Sequence, residues 1–68
     1  MNFYSEKLYR HMQQIQKGDY IRIRDELCAF MKWSLQQYYR RVTGVVRIKY
    51  QERVLIEAFF QKKIFKNE

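Results

Sequence analysis

Few side chains in this sequence are equipped for bond-making chemistry. His11 is its one histidine, Cys28 its one cysteine, and Asp25-Glu26 its one pair of adjacent carboxylates. A metal site needs several His, Cys or carboxylate ligands at helical or loop spacing, and His11 has no second histidine to join it. It falls instead at apolar spacing with Tyr4, Leu8, Met12 and Ile15, where a histidine packs rather than ligates. Cys28 would act as a nucleophile only beside a base that lowers its pKa, and it sits in an apolar stripe that favours packing. Asp25 and Glu26 are sequence neighbours, so on a helix they project ~100° apart and do not share a proton. No glycine-rich phosphate loop and no Ser/His/Asp set is present. These residues predict no enzyme, no bound metal and no cofactor.

Positive charge is the other chemistry on offer. Fourteen Lys and Arg against seven acids leave a formal charge of +7, a balance suited to phosphate backbones, anionic surfaces or acidic proteins. The basic residues concentrate twice, at Arg22, Arg24, Arg40, Arg41, Arg47 and Lys49, and again at Lys62, Lys63 and Lys66. Cations near a helix C-terminus also complement its macrodipole, which accounts for Arg40-Arg41 and the terminal lysines without any ligand. Read functionally, Arg40, Arg41, Arg47 and Lys49 are candidate nucleic-acid contacts, with Trp33, Tyr38 or Tyr39 available for base stacking.

The elements that must position these residues are delimited by two glycines in a chain without proline. Gly18-Asp19 reads as a helix stop followed by an N-cap, and Val42-Thr43-Gly44 as a second stop. The first segment, capped by Asn2, places Tyr4, Leu8, His11, Met12 and Ile15 on one face. The second carries the stripe Leu27, Cys28, Met31, Leu35, Tyr38, Tyr39 and Val42, with Phe30 and Trp33 off it, either touching the third segment or marking a binding surface. In the third, Val46 to Tyr50 alternates like a strand, but Val54, Leu55, Ala58 and Phe59 form a helical set expected to seat the helix on the first two, with Ile56, Phe60 and Ile64 on an adjoining stripe. The expectation is an all-α, single small domain of three helices at about 2–17, 19–42 and 49–65, with a β-hairpin over 45–60 as the open alternative. The sequence has no apolar run of the ~20 residues that span a bilayer and no signal-peptide core at its N-terminus, so no membrane insertion and a cytoplasmic location are expected.

Three motifs in order resemble region 2 of the bacterial sigma-70 class, especially its small extracytoplasmic-function members. His11 to Asp19 is similar to the family's leading helix and its Gly-Asp step. Arg40-Arg41-Val42-Thr43-Gly44 is similar to the Arg-Arg-Leu-Thr-Gly that closes the next helix. Glu52-Arg53-Val54-Leu55-Ile56-Glu57-Ala58-Phe59-Phe60 resembles the helix that docks on the β′ clamp of core RNA polymerase. Arg53 stands where the family has an acid and Ile56 where it has a Gln, so Glu52 and Glu57 carry over as the clamp contacts that the resemblance implies. The likeness covers residues 11–65 and stops before the promoter-reading segment. It implies a polymerase-binding module that either works with a second sigma-like subunit or regulates transcription by occupying the enzyme.

A weaker likeness covers Gly18-Asp19-Tyr20-Ile21-Arg22, Leu27-Cys28-Ala29 and Gly44 to Lys49, which are similar to the epsilon subunit of mitochondrial ATP synthase. It implies a small structural subunit of a mitochondrial assembly, with residues 45–50 extended against a partner strand. A third expectation is a helical interaction domain, paired with a second copy through Phe30 and Trp33.

Overall fold

The computed structural model describes residues 2–66. Four helices follow one another, α1 (Phe3–Gln13), α2 (Lys17–Met31), α3 (Leu35–Val42) and α4 (Tyr50–Phe60), and no strand occurs among the described residues. The all-α class expected from the sequence is therefore correct, and the β-hairpin alternative is not. The helix count and several boundaries need correction.

Asn2 caps α1 as its residue type predicts, its side chain accepting from the Ser5 N–H at 2.9 Å. The first glycine does not separate two helices. α1 ends before it, at Gln13, and Gly18 is the second residue of α2, with Asp19 in the first turn bridged to Arg22 at 3.2 Å. A first-turn acid meets the positive end of the helix dipole as well as an N-cap does, so Asp19 favours a start near here in either position. Gly18 has no steric task, because a Cβ built on it meets nothing within 4 Å. Gly18→Ala is expected to stabilise the fold by ~0.5 kcal/mol through lost unfolded-state freedom. That gain should raise the melting temperature by about 2–4 °C in a circular-dichroism melt.

The long second helix expected over 19–42 is broken at Lys32. This residue takes the left-handed conformation (φ 59°), and the Trp33 N–H closes the helix end by bonding the Cys28 carbonyl at 2.9 Å. Ser34 then starts α3 with a reciprocal capping box. The Gln37 N–H donates to Ser34 Oγ at 3.1 Å, and the Ser34 N–H donates to Gln37 Oε1 at 2.7 Å. α4 ends in the same way as α2, with Gln61 left-handed (φ 53°) and the Lys62 N–H bonded to the Glu57 carbonyl at 3.2 Å. The third helix therefore stops at residue 60 rather than 65. Only the second glycine behaves as expected. Gly44 (φ 88°) comes directly after Thr43 at the end of α3, a conformation that an L side chain resists.

The core joins Leu8 and Met12 of α1, Leu27 and Cys28 of α2, Tyr38 and Val42 of α3 and Ile56 of α4. Ile48 in the α3–α4 connection and Ile64 and Phe65 after α4 complete it. α2 packs on α4 and on α3, and α1 packs on α3. In α4 the apolar stripe points the other way from expectation. Ile56 is fully buried, whereas Val54 and Leu55 are 47% and 45% exposed.

Candidate partner-binding surface

Of the two carboxylates taken as clamp contacts, Glu52 is held inside the fold. It lies in the first turn of α4, where its Oε1 accepts from the Lys49 N–H at 2.9 Å, and its Oε2 pairs with Arg41 at 3.0 Å. The two side chains are only 17% and 13% exposed. Burial pushes the Glu52 carboxyl upward, but the Lys49 N–H and the Arg41 guanidinium outweigh it and hold the group below the usual carboxylate range. Glu57 is half-buried one turn further on, and its Oε2 accepts from the Phe65 N–H at 3.0 Å, fastening the segment after α4 to the helix.

The basic candidates divide in the same way. Arg41 is structural. Besides Glu52 it donates to the Gln37 carbonyl at 3.1 Å and lies 4.7 Å from the centre of the Trp33 ring. Arg40, Arg47 and Lys49 are exposed, and the Val46 N–H bonded to the Arg40 carbonyl at 3.0 Å keeps the first two near each other. Of the proposed stacking aromatics, Tyr38 is buried with its hydroxyl 3.0 Å from that of Tyr20, which removes it from any surface. Burial, reinforced by that hydroxyl contact, pushes its phenol far above the ordinary tyrosine value. Tyr39 is 41% exposed and accepts from Arg24 at 3.1 Å.

His11 and Cys28 behave as packed groups. The His11 ring is 4.4 Å from that of Phe60, and burial together with the nearby Lys62 lowers its pKa below the ordinary imidazole value. Cys28 is buried and its thiol is pushed up, away from the reactive thiolate. Among the described residues, no group of three or more His, Cys, Asp and Glu side chains is placed to hold a metal ion, and no helix is long and apolar enough to cross a membrane.

Part of what the fold leaves outside is apolar. Val54 and Leu55 of α4 are uncovered, and on the α2 side Phe30, 47% exposed, meets the half-buried Phe59 at 5.4 Å. Leu55 and Phe59 are one turn apart on α4 and so share a face. The sequence identified Phe30 as off-stripe but assigned Val54, Leu55 and Ala58 to the inside, because their spacing describes a helix face without saying which way it turns. Comparison with known protein families, with characterised proteins and with solved structures finds no match to this chain.

Proposed function

We propose that this chain is a non-catalytic helical module that docks on a partner protein through the outward face of α4, and that the partner is bacterial core RNA polymerase. The observation that carries the docking reading is the exposure of Leu55 beside the Phe30–Phe59 pair, with Val54 also exposed on the adjoining side of α4. Contiguous apolar surface on so small a domain is costly unless a partner covers it. The choice of partner rests on the resemblance of residues 52–60 to the clamp-docking helix of sigma factors, and α4 has the helical form over Tyr50–Phe60 that such docking needs. On this reading the protein works in the cytoplasm, either beside a second, promoter-reading subunit or as a regulator that occupies the polymerase. Glu57 lies on the Val54 side of α4, away from Leu55, and Glu52, paired with Arg41, holds the helix in place.

The test is binding of the purified protein to core polymerase, with a housekeeping sigma factor as competitor. Saturable binding that the sigma factor displaces is expected. Leu55→Asp, at a surface position, should weaken binding by about ten-fold or more while the circular-dichroism spectrum stays unchanged. Absence of binding, or binding indifferent to both the competitor and Leu55→Asp, would remove the polymerase reading.

A further inference from the structure

A second surface of α4, distinct from the Leu55–Phe59 side, carries different chemistry. Arg53 leaves α4 toward the first helix, and its guanidinium carbon lies 3.8 Å from the centre of the Tyr4 ring. One nitrogen donates to the Ile48 carbonyl at 2.8 Å, which fixes the plane of the group. The Tyr50 ring centre lies 5.6 Å from the same carbon. Tyr4 is itself braced by Phe65, at 6.0 Å edge-on. The result is a row of flat groups, Tyr4, Arg53 and Tyr50, anchored at its inner end and open at its outer one, where Tyr50 is 70% exposed.

This row borders an open groove that continues past Val54 and Glu57 to Lys62 and Lys63. The charge along it is positive. Glu57, the acid on its wall, has Oε2 engaged by the Phe65 N–H. The ion-paired acids Glu6, Asp19, Asp25, Glu26 and Glu52 are bound to arginines on α1, α2 and α3. Neither Lys62 nor Lys63 belongs to an ion pair among the described residues.

We propose that this groove binds single-stranded nucleic acid, a base extending the Tyr4–Arg53–Tyr50 row by stacking on Tyr50 and the backbone phosphates lying against Lys62 and Lys63. Every base offers a flat π face, so an exposed aromatic beside a fixed arginine is a sequence-tolerant platform, and lysines beyond it track the phosphates. A duplex keeps its bases stacked on one another and does not offer one to Tyr50. The 11 residues of α4 span ~16 Å. At ~3.4 Å per stacked nucleotide, that length takes about five nucleotides. The site does not involve the Arg40–Arg47 region and does not depend on the polymerase reading.

Fluorescence anisotropy with labelled decamers of uridylate and of thymidylate tests it, using the full chain at low salt. Saturable binding to one or both decamers is expected, the RNA and DNA arms showing whether the 2′-hydroxyl matters. Tyr50→Ala should weaken binding by about ten-fold or more, and Tyr50→Phe should restore it to within about two-fold. In Lys62→Gln/Lys63→Gln, the slope of log affinity against log salt should become shallower by about 1.4. The proposal fails if Tyr50→Ala binds like the unaltered protein with its helical spectrum intact. It also fails if a duplex or polyaspartate competes as well as an unlabelled decamer, or if no decamer saturates.

Discussion

Glu52→Ala is expected to destabilise the protein by about 3 kcal/mol, enough to unfold a large fraction of it at 25 °C. The change removes the acceptor of the Lys49 N–H, worth about 1 kcal/mol by analogy with capping side chains, and leaves the shielded Arg41 without its anion, worth about 2 kcal/mol more. A chain of 68 residues has a core that supplies only a few kcal/mol beyond its entropic cost. Glu52→Gln separates the two contributions. Its amide oxygen still accepts from Lys49, so only the pairing with Arg41 is lost and the cost should be about 1–2 kcal/mol. The pH dependence stems from the depressed pKa of Glu52. Because the folded value lies below the unfolded one, the contribution is complete above the unfolded pKa of about 4.3 and is lost as pH falls through the folded value. Urea titrations at pH 7 and in acid should therefore show the gap between the unaltered protein and Glu52→Gln closing at low pH. A gap that persists in acid would mean that the ion pair is not its source.

Ile56→Ala and Leu55→Ala form the second test, because they ask which way α4 faces. Ile56 is fully buried in the core, and its truncation should cost about 2–4 kcal/mol through lost transfer energy and the cavity left behind. Leu55 is 45% exposed, and its truncation should cost less than about 1 kcal/mol. With an m value of ~1 kcal/mol per molar urea, the two midpoints should differ by about 2 M. The opposite order would turn α4 over and place Val54 and Leu55 in the core, removing the exposed surface on which docking is argued.

The two arginines show how far the candidate site was legible. Arg41 and Arg40 are adjacent and chemically identical, so nothing local distinguishes the one that pairs with Glu52 eleven residues away from the one that faces water. Arg53 gave no sign of this packing, since the ring it covers belongs to Tyr4, 49 residues earlier in the chain. Trp33 and Phe30 were recognisable as off-stripe, and both are used, Trp33 under Arg41 and Phe30 against Phe59.

What the sequence by itself determined is whatever acts within a turn or two of helix. The apolar spacing in each segment made the chain helical, Asn2 set the start of α1, and Gly44 set the end of α3. The Ser34–Gln37 capping box was equally local and could have been read from Ser-x-x-Gln. Tertiary structure alone decided the two helix ends that close on a left-handed residue other than glycine. A left-handed Lys32 or Gln61 costs about 1 kcal/mol or more, which local preference does not repay. The offset comes from the residues just beyond each turn, Trp33 packing under Arg41 in one case and Ile64 and Phe65 entering the core in the other. Tertiary structure also decided the facing of α4. Two apolar stripes lie side by side on that helix, and both satisfy a 3.6-residue period. Burial of Ile56 in the core chose the inner one and left Val54 and Leu55 exposed.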